Sequence, residues 1–152
     1  MARRVIVGAV VAVVVLVLVG LGFSSTQPPD FHKYRTTANQ AAEAAHDAVR
    51  TTALTIGALL QHRVTSPYAS VVVDDAVTSV AGATQQLAQL APPDAETVAM
   101  RAELTPLLSD TARELGDVSH ALEDGAADKI RSSAANLQSL GDRLDGYLGK
   151  HA

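Results

Sequence analysis

The chain has 152 residues, a formal charge of −4, no cysteine, no tryptophan, and only three tyrosines and two phenylalanines. The lack of cysteine excludes a disulfide scaffold, a thiol nucleophile, thiolate metal ligation and a lipid-modified amino-terminal cysteine. Scarce aromatics leave Ala, Val and Leu to build the core, which favours close-packed helices over a β-sandwich.

Residues 5–23, VIVGAVVAVVVLVLVGLGF, form a run of 19 without a charged or strongly polar side chain. As a helix it would span about 28 Å, close to the hydrocarbon thickness of a bilayer. A buried core helix would carry a polar face, and this run has none. Two readings compete. An uncleaved signal anchor fits the length, whereas a cleaved secretory signal has a shorter apolar region and a small-x-small exit, which Gly20-Leu21-Gly22 offers. The length favours the anchor. Arg3 and Arg4 abut the run on one side, while Lys33 and Arg35 on the other are diluted by Asp30. The positive-inside rule then puts the amino terminus in the cytoplasm and the rest outside it, single-pass at the cell membrane. Cleavage would instead release the domain as a secreted protein.

Past residue 23 the 12 basic residues lose Arg3 and Arg4, leaving 10 against 16 acidic ones, a balance of −6. Such a domain has no electrostatic reason to bind nucleic acid or anionic lipid. Residues 24–35 read as a linker, because Pro28 and Pro29 cannot continue a membrane helix. Residues 36–152 read as one extracytoplasmic helical domain.

A first helix is predicted over 37–63, with a stripe of Ala38, Ala42, Ala45, Val49, Thr52, Ala53, Ile56, Leu59 and Leu60 at spacings of three and four. Its early part is almost pure alanine, so a partner helix can come close there. Ser66-Pro67 reads as an N-cap followed by proline at the first helical position. The second helix, 67–90, carries the heptad Val73, Ala76, Val80, Ala83, Leu87, Leu90. Ala91-Pro92-Pro93 ends it, and Asp94 can cap the third helix, 95–123, whose stripe is Leu104, Leu108, Thr111, Leu115, Val118 and Leu122. Pro106 interrupts this helix, and because the stripe keeps its phase a kink near 102–105 is expected rather than two helices. Asp124-Gly125 makes a tight turn. The fourth helix, 126–148, repeats the heptad as Ile130, Ser133, Leu137, Leu140, Leu144 and Tyr147, and Gly141 and Gly146 should let it fray from its last turn. Four such helices with short connections predict an all-α, antiparallel up-down four-helix bundle behind the transmembrane helix. A long two-helix coiled coil is the weaker alternative, opposed by the proline turns.

No catalytic signature is present: there is no G-x-S-x-G, no nucleotide-binding glycine loop and no H-E-x-x-H. Glu43-x-x-His46 has the spacing of a bundle metal site, and Asp117-x-x-His120 looks like its counterpart. In the predicted bundle, however, the two pairs are offset by about 16 residues, or roughly 24 Å, and Asp117 and His120 fall on an outer face. Solvated or boundary histidines are therefore expected, with no cofactor and no metal. Asp74-Asp75 lies in the first turns of helix two, where two carboxylates are expected to complement the helix dipole.

The segments Ser66-Pro67-Tyr68-Ala69-Ser70-Val71-Val72-Val73-Asp74-Asp75-Ala76, Leu90-Ala91-Pro92-Pro93 and Arg101-Ala102-Glu103-Leu104-Thr105-Pro106-Leu107-Leu108-Ser109 resemble a group of small signal-anchored actinobacterial envelope proteins with a helical outer domain. Nine arginines against three lysines fit a GC-rich genome of that kind. The resemblance implies a location in the cell envelope and no activity, so it brings no catalytic residues.

The functional expectation is a non-enzymatic interaction module, tethered to the cytoplasmic membrane through residues 5–23, that binds another envelope protein or itself. The alternative is a sensor-type bundle that holds a small ligand between its helices and acts through a partner. Since helix one leaves the membrane, the turn at 63–67 should lie at the far end, beside Asp124-Gly125. Leu54, Leu60, Tyr68, Val71 and Val72 gather near that tip, more apolar side chains than two buried stripes need. They are the candidate docking residues.

Overall fold

The computed structural model of the chain describes residues 30–151, which form four helices and no strand. Helix α1 spans Phe31–Leu60, α2 Ser66–Ala88, α3 Ala95–Glu123 and α4 Ala127–His151. The apolar run at 5–23, expected to be a membrane anchor, lies outside the described residues. Among those described, no helix is long and apolar enough to cross a membrane.

Short connections fold each helix back on the one before it, giving an all-α four-helix bundle. The start of α1 meets the end of α4, where Arg35 and Asn39 both donate hydrogen bonds to the His151 carbonyl. Helix α1 packs on α2, on α4 and, across the diagonal, on α3, whereas the backbones of α2 and α4 stay apart. Alanine explains this asymmetry. Ala38, Ala42 and Ala45 are fully buried and Ala41 and Ala48 nearly so, and a face without bulk lets three neighbours approach one backbone. Leucine and valine fill the remaining core: Val73 and Val80 from α2, Leu104, Leu108, Leu115 and Val118 from α3, Leu137 and Leu144 from α4.

The predicted stripes of α3 and α4 are buried along their whole length, from Leu104 to Leu122 and from Ile130 to Tyr147. In α2, Val73, Ala76, Val80 and Leu87 are buried, while Ala83 and Leu90 pack against the core from its edge. Asp94 caps α3 as expected: its side chain accepts from the Thr97 N–H, and Thr97 Oγ1 accepts from the Asp94 N–H. α3 runs through Pro106 without interruption.

Four details differ from expectation. Helix α1 begins at Phe31, so its first turns occupy residues read as linker, because Tyr34 is buried at 1% exposure and extends the alanine stripe backwards. α1 also ends at Leu60 rather than at 63, where His62, at φ 57, turns the chain and the His62 and Arg63 N–H groups bond back to Leu59 and Ala58. Gly125, at φ 63, does the same after α3, in the left-handed conformation that glycine adopts without strain. The cap of α2 is Thr65, not Ser66, with no side-chain bond to the helix. The last turn of α4, expected to fray, is held instead: Lys150 and His151 bond Glu103 on α3, in addition to the two bonds from α1.

Candidate functional site

The α1–α2 hairpin carries the five candidate docking residues, and the structure sorts them into two kinds. Leu54 is 76% exposed, Tyr68 56% and Val71 60%. Leu60 packs against the edge of the core, and Val72 is half-buried. The difference is one of azimuth. Leu60 closes the buried stripe of α1, whereas Leu54 lies off it, two residues from buried Thr52 and Ile56.

Beside these residues runs an open groove of about 490 Å³ between α1 and α2. Its floor is small: Ala44, Ala48 and Thr51 from α1, with Ala76, Ser79 and the half-buried Val72 from α2. Asp47 stands on one wall and Asp75 on the other. The lining residues recur at helical spacing, 44–47–48–51 on α1 and 72–75–76–79 on α2. Leu54 continues the first row three residues on, and Tyr68 continues the second four residues back. The groove therefore opens towards the tip between two exposed apolar side chains. Sequence analysis missed this cleft, since small residues flanking a core stripe read as part of that stripe. Val98 on α3, 52% exposed, was also missed.

The two suspected metal pairs have separate surroundings. His46 Nε2 lies 2.9 Å from Asp145 Oδ1 of α4 without a hydrogen bond between them. His46 Nδ1 is 3.7 Å from Asp47. His120, whose side chain is exposed on the outer face of α3, lies 3.6 Å from Glu123. Glu43 and Asp117 are exposed. Among the described residues no three His, Asp or Glu side chains converge as a metal site would need.

A buried polar layer occupies the opposite end of the bundle. Tyr34 and Tyr147 are 1% and 4% exposed, and neither hydroxyl has a hydrogen-bond partner among the described residues. Burial pushes the Tyr147 hydroxyl up to about 12, helped by the negative charge that Tyr34 and Glu103 would place nearby. Burial also raises Tyr34, against the opposing pull of Arg101. Hydrogen bonds from Lys150 and His151 hold the Glu103 carboxyl below its ordinary range.

The sign of the tyrosine effect follows directly. An unfolded tyrosine ionises near pH 10, whereas folded Tyr147 keeps its proton to about 12, so the folded state binds more protons in between and stability falls as pH rises. Urea midpoints should therefore be level below about pH 10 and drop towards about 12. Tyr147→Phe should remove the larger part of that drop. It should also match or exceed the unaltered protein at neutral pH, because a buried hydroxyl without a partner is lost. An undiminished drop in the variant would assign the effect elsewhere.

Across α3 and α4 a second, polar groove is closed by ion pairs, Arg143 to Asp110 at 3.1 Å and Arg113 to the same carboxylate at 3.0 Å. Asn136 donates to both oxygens of Glu114 in the same groove, so its charged groups are engaged, unlike Asp75 in the α1–α2 groove. No family model, curated protein or solved structure matches this chain.

Proposed function

We infer that this protein is a membrane-tethered, extracytoplasmic interaction module, non-enzymatic, whose helical bundle receives another envelope protein at its α1–α2 tip. The single observation that carries this reading is the exposure of Leu54, Tyr68 and Val71 on the α1–α2 hairpin. Water-exposed apolar side chains gathered on one face lower the free energy only when something covers them. The apolar run at 5–23 supports the tether, and the flanking Arg3-Arg4 pair supports the outward orientation. The resemblance to small actinobacterial envelope proteins agrees with that address.

The sensor-type alternative draws on a different observation, the unpartnered Tyr34 and Tyr147 hydroxyls and Asn39 Oδ1 inside the bundle. A small polar ligand held there would raise the thermal midpoint and shift the tyrosine absorbance, leaving the tip untouched.

The test uses the full chain in its native membrane, with a photo-reactive residue in place of Tyr68. An adduct with a specific envelope protein is expected. It should vanish in the Leu54→Lys/Val71→Lys variant, while the thermal midpoint holds because both positions are exposed. A stable variant that keeps its adduct overturns the docking site. A reporter active only in the cytoplasm, fused after Ala152, should be silent, and activity there would overturn the topology.

A further inference from the structure

The α1–α2 groove narrows the chemistry of the partner, on the premise that the tip is a docking site. Its floor is small and mostly apolar, with the hydroxyls of Thr51 and Ser79 in it, and its walls carry Asp47 and Asp75 with no cation among the lining residues. Helix α2 contains neither lysine nor arginine. The nearest base on α1, Arg50, turns away towards α4, where its Cδ lies 3.6 Å from the position a Cβ on Gly141 would take. His46 likewise leans to Asp145 on α4. Among the described residues Asp75 has no ion-pair or hydrogen-bond partner, and Asp47 has only the distant His46 ring at 3.7 Å. Glu43 and Asp74, both exposed, add further negative charge on the same two helices.

We propose that the groove takes a helix of another protein, one that lays a stripe of apolar side chains on the Ala44–Ala48–Ala76 floor and sets a lysine or arginine against each wall. Three features select this occupant. The lining residues follow i, i+3, i+4 rows on both walls, and a gap between two helical ridges accepts the ridge of a third helix. From Ala44 to Thr51 the floor runs about 10 Å, close to two turns, so a short amphipathic segment fills it. The carboxylates then need cations, since a neutral or acidic segment would desolvate Asp47 and Asp75 without pairing them. A second copy of the chain fits poorly, because face-to-face pairing would set Asp47 and Asp75 against the same carboxylates. The exposed Leu54 and Tyr68 at the groove mouth supply the apolar contact that ends the stripe.

The decisive experiment maps the adduct formed at position 68 in native membranes by sequencing the crosslinked peptides. The expected partner segment has lysine or arginine on both sides of an apolar helical stripe. Asp47→Lys/Asp75→Lys should lower adduct yield at least about tenfold with the thermal midpoint unchanged, both positions being exposed. Changing the partner's two cations to glutamate should restore the yield with that variant. An adduct to a second copy of this chain, an adduct to a segment without cations, or a yield indifferent to the charge reversal would each overturn the basic-helix inference alone. No adduct even with the unaltered chain overturns the docking reading on which it rests.

Discussion

Truncation of Leu115 to alanine is expected to destabilise the bundle by about 2–5 kcal/mol. Leu115 is fully buried in the middle of α3, between Thr111 and Val118 of the same stripe. Removing it forfeits the transfer free energy of the lost carbons and leaves a void that rigid helices can only partly close. Against a total stability of about 5–15 kcal/mol that is a large fraction. Leu54→Ala makes the control, since a leucine that stands 76% exposed returns little apolar area to water when cut back. Thermal or urea unfolding of residues 24–152 reads both. Equal losses at the two positions would mean that Leu54 belongs to the core and that the tip is no docking surface.

Enlarging Ala45 to leucine should be the next most damaging change, costing about 1–3 kcal/mol or more. Ala45 is fully buried, in line with Ala38 and Ala42, on the face where α1 meets its neighbours. Added carbons there must push a helix outward or take a strained rotamer. Ala44, one residue earlier, is half-buried on the α1–α2 groove. Ala44→Leu should therefore leave the unfolding midpoint nearly unchanged while it fills the groove floor and blocks the partner helix. The adjacent pair thus separates packing from docking. An Ala45→Leu protein as stable as the parent would show that α1 does not approach its neighbours as closely as described.

The opposite end of the bundle gives a different kind of stability. Here the first turn of α1 and the last turn of α4 hold each other through Arg35, Asn39 and the His151 carbonyl, and α3 joins through Glu103. These bonds are exposed or half-buried and individually worth little. Their effect is positional, since they fix the point where the chain enters the bundle.

Local chemistry by itself determined the helices and their inward faces. The α3 boundaries, its Asp94 cap and the buried rows of α3 and α4 follow from spacings of three and four residues and from capping, which depend on neighbours within one or two turns. The start of α1 was hidden because Tyr34 sits among His32, Lys33 and Arg35, and only the facing Tyr147 end of α4 makes it a core residue. The hold on α4's last turn, and the Asp145 that meets His46, likewise come from residues about a hundred positions away in the chain. Spacing already set Leu60 at the edge of the α1 stripe and Leu54 outside it, but only the tertiary structure decided that Leu60 is covered while Leu54 stands exposed, because that depends on which neighbours reach the end of α1. The groove was settled at that level too. Alanines that flank a stripe are core where a third helix covers them and floor where none does, and the sequence of one helix does not record which neighbours stand beside it.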